Sequence, residues 1–144
     1  MIKQYVQIQK TARYFISKKI DESVKRVIFV LHGYAQNGDD FLNSCLELAS
    51  EETVLIAPEG LSKFYWKDFS SNPSSSWMTS LEREHELEDT RNYLSQVLLE
   101  VKVQLPKVGI SFSCLGFSQG AATASRFARN PDLNCTDLFL YGGG

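Results

Sequence analysis

The chain has 144 residues, 43% of them hydrophobic, and a formal net charge of −2 at pH 7. These values predict one globular domain spanning residues 1–144 and argue against a disordered chain. A charge so close to neutral also excludes the basic surface expected of proteins that bind nucleic acid or anionic membranes. Since the N-terminus lacks a long apolar run, we expect neither a signal peptide nor a membrane span, and the cytoplasm is the default location.

The cysteine count supports the same location. The chain contains Cys45, Cys114 and Cys135, and such an odd, sparse set argues against a disulfide framework and favours a reducing compartment. Cys114 lies in a predicted central strand, so we interpret it as a small buried apolar residue rather than a reactive thiol.

The first half of the chain predicts strands and one helix. Residues 5–8 and 14–16 are short apolar stretches that predict an antiparallel hairpin. Residues 27–31 form an apolar run without alternation, which indicates a strand covered on both faces, as in a parallel sheet between helices. A second buried strand is predicted at residues 53–57, after a helix that Asp39 or Asp40 would cap, and together these elements have the size of a βαβ unit.

The middle of the chain contains a long loop and a long helix. Residues 61–80 predict an irregular loop, and its aromatic side chains are Phe64, Tyr65, Trp66, Phe69 and Trp77. These side chains could wall an acyl pocket or simply pack on the surface, and the sequence leaves both interpretations open. Residues 81–103 predict an amphipathic helix, because apolar residues recur at helical spacing on one face.

The most informative stretch is Gly116-Phe117-Ser118-Gln119-Gly120, a G-x-S-x-G signature. Apolar residues 110–115 predict a strand before it, and residues 121–129 predict a helix after it. This setting indicates a nucleophile elbow rather than an ordinary turn. Gly116 and Gly120 suit it because side chains there would collide in the strained backbone.

The order of the elements predicts the fold class. Strands alternate with helices after the N-terminal hairpin, and an apolar strand at residues 138–141 ends the series. Such alternation is typical of an α/β fold with a mostly parallel sheet flanked by helices. Ligands of such sheets bind beyond the carboxyl ends of the strands, where the segments that follow them gather.

Four segments together resemble the phospholipase/carboxylesterase family, compact α/β-hydrolases that include acyl-protein thioesterases. These segments are Leu31-His32-Gly33-Tyr34, Ala57-Pro58-Glu59-Gly60, Ser76-Trp77 and Leu115-Gly116-Phe117-Ser118-Gln119-Gly120-Ala121-Ala122. Their order and approximate spacing match the family from about residue 26 onward. The resemblance therefore implies an α/β-hydrolase fold.

The resemblance also implies roles for site residues. It implies Ser118 as the nucleophile and an oxyanion hole built from the backbone N–H groups of Tyr34 and Gln119. His32 and Gly33 would then shape the oxyanion loop, and His32 is favoured in that role over the role of general base. No cofactor and no metal are expected.

The chain departs from the family after the nucleophile. The triad of this fold runs from Ser to Asp or Glu to His, yet no histidine follows Ser118. Asp137 begins a predicted strand and is not assigned as the acid. The apolar strand 138–141 has nothing after it to cover it, so we expect a domain that is incomplete at its C-terminus, either as a fragment of a longer protein or completed by another chain.

His85 is the other candidate base, but it precedes the nucleophile, against the usual order. The stretch His85-Glu86-Leu87-Glu88-Asp89 is similar to the zincin H-E-x-x-H motif, although Asp89 replaces the second histidine. A solvated helix face is therefore favoured over a metal site.

Together the motifs predict a serine hydrolase that cleaves carboxylic esters or thioesters through a covalent acyl-enzyme. Without a triad histidine, the 144-residue chain alone is expected to be nearly inactive. The alternatives are a non-catalytic hydrolase-like binding domain and a peptidase on the same fold. The expected partner is a small-molecule ester or thioester, while the acyl chain, the leaving group and any homo-oligomer stay open.

Overall fold

The computed structural model describes residues 1–142. In chain order the elements are β1 (Tyr14–Ile16), β2 (Arg26–Leu31), α1 (Gly38–Ser44), a 3₁₀ turn (Leu46–Leu48), β3 (Thr53–Pro58), β4 (Ser62–Phe64), β5 (Ser74–Ser76), α2 (Arg83–Gln104), β6 (Ser111–Phe117), α3 (Gln119–Phe127) and β7 (Cys135–Tyr141). Strands and helices alternate along most of the chain, as the sequence predicts for an α/β fold.

The main sheet has the strand order β1-β3-β2-β6-β7. The pairs β3–β2, β2–β6 and β6–β7 are parallel, and β1 joins β3 antiparallel. Strand β2 is buried on both faces, as its uninterrupted apolar run predicts: Phe29 points into the larger core and Val30 into the smaller one. The predicted fold class, a mostly parallel sheet flanked by helices, is confirmed.

Helices cover the two faces of this sheet. The larger core contains Leu98 of α2 and Phe127 of α3, whereas Phe41 of α1 packs in the smaller core. Strand β7 is one of the two edge strands, and Leu138 and Tyr141 are 39% and 55% exposed there. Across residues 1–142, none of the helices combines the length and the apolar character that crossing a membrane requires.

The predicted N-terminal hairpin is wrong. Residues 5–8 form no strand, and β1 pairs instead with β3, in the register Phe15↔Ala57. The outer edge of β3 offers a backbone ladder backed by a buried core, whereas an isolated two-stranded hairpin is marginal in water. Val6 and Ile8 are about four-fifths exposed, so the first stretch has no core against which to pack.

The loop predicted at residues 61–80 contains structure that the sequence did not indicate. Strands β4 and β5 form a small antiparallel sheet in the register Lys63↔Ser75. Each has only three residues, and β5 is entirely serine, so neither strand shows the apolar alternation that would predict it. Ser75 also bridges to Gln36, which ties this small sheet to the segment after β2.

Candidate active site

Ser118 lies at the turn between β6 and α3, in a strained backbone conformation. Its φ of 56° and ψ of −118° are rarely adopted by a residue with a side chain. The turn is held by a 2.7 Å hydrogen bond from the Ser118 N–H to the Tyr141 carbonyl and a 2.9 Å bond from the Ala121 N–H to the Ser118 carbonyl. Ser118 is half-buried at the carboxyl end of the parallel strands.

The two glycines of the elbow allow a close approach of backbone to backbone. A Cβ on Gly116 would lie 2.3 Å from the Gly120 carbonyl oxygen, and one on Gly120 would lie 2.2 Å from the Leu31 carbonyl oxygen and 2.3 Å from that of His32. All three distances are too short for real atoms. Gly120 therefore brings α3 directly against the end of β2.

His32 is fully buried and both of its ring nitrogens are hydrogen-bonded. Nδ1 lies 2.7 Å from the Gly33 carbonyl oxygen, and Nε2 accepts the Gly60 N–H at 2.9 Å. Because Nε2 is an acceptor, Nδ1 carries the proton and the ring is neutral. Burial lowers the pKa of His32, which stabilises this neutral form. Neither nitrogen is free to accept a proton from Ser118.

The segment after β2, the 32–38 loop, is fixed by its own contacts. The Gly33 N–H donates to Gln36 Oε1 at 2.6 Å, and the Ala35 N–H donates to the Ser75 carbonyl at 2.9 Å. Among residues 1–142, the Tyr34 N–H between them makes no hydrogen bond. The Gln119 N–H, at the first residue of α3, is likewise unpaired there.

An ionic network around the buried carboxylate of Glu59, which sequence reasoning missed, holds the far end of this loop. The Glu59 carboxylate accepts from Arg13 Nε at 2.7 Å, from Lys63 Nζ at 2.5 Å and from the Gly38 N–H at 2.8 Å. Burial alone would raise the pKa of Glu59, but these donors hold it at about 2. Glu59 lies in a segment that the sequence singles out, yet Arg13 and Gly38 are distant in the chain and no pattern marks Lys63, four residues on, as a partner.

The aromatic side chains of residues 61–80 divide into three groups, one of which is the exposed pair Tyr65 and Phe69, with ring centroids 5.2 Å apart. The Tyr34 ring stacks on Phe64 at 5.2 Å and meets Trp66 edge-on at 5.5 Å. Tyr34 and Trp66 are 49% and 55% exposed, whereas Trp77 is only 2% exposed and belongs to the core. We call Tyr34, Phe64 and Trp66 the aromatic cluster.

His85 lies in the first turn of α2, and its exposed ring packs 4.6 Å from that of Tyr5. Its structural partner is thus the N-terminal segment. Within residues 1–142, no three His, Cys, Asp or Glu side chains converge in a way that could hold a metal ion.

A family model described as serine hydrolase (FSH1) matches residues 22–134. The chain belongs to this serine hydrolase family. The match includes the elbow and the 32–38 loop, which agrees with the hydrolase resemblance predicted from their motifs. No curated protein sequence matches this chain.

Several solved structures share the fold of this chain. Acyl-protein thioesterase 2 of Zea mays is 22% identical, with a TM-score of 0.57 over 82% of this chain and 51% of its own. The carboxylesterase of Bacillus cereus is 20% identical, with a TM-score of 0.62 over 90% of this chain and 58% of its own. A phospholipase/carboxylesterase of Dyadobacter fermentans is 18% identical, with a TM-score of 0.54 over 96% and 66%.

The chain spans between about half and two thirds of the length of these three structures, from 51% to 66%. At such identities the likeness establishes the α/β-hydrolase fold.

Proposed function

We propose that this serine hydrolase cleaves carboxylic esters or thioesters through a covalent acyl-enzyme on Ser118. The observation that carries the proposal is Ser118 itself, held at positive φ on the turn between β6 and α3. The N–H of Gln119, the next residue, and the N–H of Tyr34, on the 32–38 loop, make no hydrogen bond within residues 1–142. The thioesterase and carboxylesterase among the structurally similar proteins support these substrate classes.

Each group has a defined task in the proposed reaction. Ser118 Oγ attacks the carbonyl carbon, and the carbonyl oxygen takes up the electron pair. The Tyr34 and Gln119 N–H groups donate to this oxyanion, and the N-terminus of α3 favours its negative charge. The intermediate collapses by expelling the alcohol or thiol, which takes up the proton that Ser118 lost, and water then hydrolyses the acyl-enzyme to release the acid and restore the serine hydroxyl. His32 and Gly33 shape the loop that carries Tyr34.

A general base must take the Ser118 proton, and we assign none within this chain. Its two histidines are His32 and His85. Both nitrogens of His32 are engaged, and the His85 ring packs on Tyr5. We therefore expect the 144-residue chain by itself to turn over substrate slowly, through oxyanion stabilisation and binding alone.

The aromatic cluster supports an apolar acyl group in the substrate. Tyr34 belongs to both features: its backbone N–H is a proposed oxyanion donor, and its ring is part of the aromatic cluster. In the proposed complex, the cluster would therefore lie next to the reacting carbonyl. Exposed aromatic rings gain free energy when they bury an apolar ligand.

A fluorophosphonate probe tests the proposal. We expect covalent labelling of the intact protein at Ser118, loss of labelling in Ser118→Ala, and unchanged labelling in Ser125→Ala. Ser125 is a matched control because its hydroxyl bonds only within α3, to the Ala121 carbonyl at 2.9 Å. An intact wild-type protein that resists labelling would overturn the proposal.

One observation favours a second function, a non-catalytic hydrolase-like binding domain. Both ring nitrogens of His32 are hydrogen-bonded elsewhere, and the ring of the other histidine, His85, packs on Tyr5. Under this reading an ester would bind without turnover and Ser118 would stay unlabelled.

A further inference from the structure

The side chain of Gln119, next to the nucleophile, is committed to hydrogen bonds with residues 76–78. Its Oε1 accepts the Trp77 N–H at 2.9 Å, and its Nε2 donates to the Met78 carbonyl and to Ser76 Oγ, each at 3.0 Å. The reverse amide orientation would set two donors against each other at Trp77 and two acceptors at Met78. The side-chain amide therefore pairs with one backbone N–H and one backbone carbonyl of this segment, as the backbone of a neighbouring β-strand would.

Trp77 continues the connection towards the 32–38 loop. Its indole Nε1–H donates to the His32 carbonyl at 2.7 Å, and its ring stacks on the imidazole at a centroid distance of 4.8 Å. Its own carbonyl accepts from Thr90 Oγ1 of α2 at 3.1 Å. With 2% of its surface exposed and these partners on three sides, Trp77 has a single position.

The connection ends at the loop that carries the second proposed oxyanion donor, the Tyr34 N–H. His32 is fixed through the Gly33 carbonyl and the Gly60 N–H, and Tyr34 follows two residues later. The Gln119–Trp77–His32 linkage thus runs from the residue that carries one unpaired N–H to the loop that carries the other. A second connection joins α3 to the start of the 32–38 loop, because the backbone at Gly120 lies directly against the carbonyls of Leu31 and His32.

We propose that the Gln119 side chain, acting through Trp77, is a positioning residue that fixes the relative placement of the Tyr34 and Gln119 N–H donors. The inference rests on the function proposed above. Oxyanion donors act only when they lie about 2.7–3.1 Å from the developing charge, and small misplacements are costly. Loss of the linkage should therefore slow the chemical step and leave substrate binding nearly intact.

Steady-state hydrolysis of an acetyl thioester by the intact protein tests this. Gln119→Met keeps the size of the side chain but removes its hydrogen bonds, and Trp77→Phe keeps a ring beside His32 but removes the indole donor. We expect kcat to fall about tenfold in each, with KM changed less than about twofold. Because both variants break one linkage, the double variant should be no slower than the slower single one. Ser125→Ala is the matched control and should behave as wild type.

Tryptophan fluorescence gives a readout independent of activity. The sequence has two tryptophans, so Trp66→Phe leaves Trp77 as the only tryptophan, and its emission can be excited selectively. In that background, Gln119→Met should red-shift the Trp77 emission and increase its quenching by acrylamide, whereas Ser125→Ala should not. If Gln119→Met does not fold, Trp77→Phe still carries the kinetic test.

The failures of the two proposals are distinguishable. If the wild type labels at Ser118 but Gln119→Met and Trp77→Phe retain wild-type kcat, or raise KM alone, the positioning role is wrong and the hydrolase function stands. Losses of kcat that multiply in the double variant would also overturn the linkage. A wild type without labelling would overturn the proposed function and this inference with it.

Discussion

Two linkages hold the 32–38 loop, and they use opposite chemistry. The start of the loop is held by the neutral Gln119–Trp77–His32 linkage, in which every partner is an amide, an indole or an uncharged imidazole. The far end is held by the ionic Arg13–Glu59–Lys63 network through the Gly38 N–H. A fixed negative charge beside an oxyanion would oppose its formation. The neutral linkage lies on the Ser118 side, and the carboxylate acts at the other end of the loop.

The largest effect is expected where the neutral linkage contributes to the core. Trp77→Ala should lower the free energy of unfolding by about 3–5 kcal/mol, because it empties a buried site and leaves the His32 carbonyl without its donor. Urea denaturation measures this. The matched variant Trp66→Ala, at a position 55% exposed, should cost less than about 1 kcal/mol. Equal losses in the two variants would contradict the assignment of Trp77 to the core.

A smaller loss is expected when the ionic network loses its carboxylate. Glu59→Gln keeps the shape but removes the charge that Arg13, Lys63 and the Gly38 N–H share. The depressed pKa of Glu59 corresponds to about 3 kcal/mol of stability at pH 7. Urea denaturation at that pH should show a loss of this size. The control Glu84→Gln alters an exposed pair with Arg83 and should change stability by less than about 0.5 kcal/mol.

The smallest effect is the part of that stability lost in mild acid. Because the folded pKa of Glu59 is depressed from 4.5 to about 2, its contribution is complete well above pH 4.5 and disappears as the pH falls towards 2. At pH 3.5 roughly 1 kcal/mol of it should be gone. The difference in the free energy of unfolding between wild type and Glu59→Gln should therefore be smaller at pH 3.5 than at pH 7. The corresponding difference between wild type and Trp77→Phe should stay the same. A constant Glu59→Gln gap would argue against a depressed pKa.

Local patterns were sufficient for the central elements. The apolar run of β2 predicts a strand buried on both faces, and G-x-S-x-G between a strand and a helix predicts the elbow; both lie where they were predicted. Such patterns succeed because a buried parallel strand and a strained turn each impose strict residue requirements over a few consecutive positions. The errors concern pairing: β1 pairs with β3 rather than with residues 5–8, and the three-residue strands β4 and β5 carry no pattern.

The sequence by itself determined the α/β alternation, the elbow around Ser118 and membership of a hydrolase class, because each is encoded in consecutive residues. Only the tertiary structure decided how the loop beside Ser118 is held. Glu59 meets Arg13 across 46 positions, and Gln119 meets Trp77 across 42. Such contacts depend on which strands become neighbours and on how closely Gly120 lets α3 approach β2. Neither property can be read from a local run of residues.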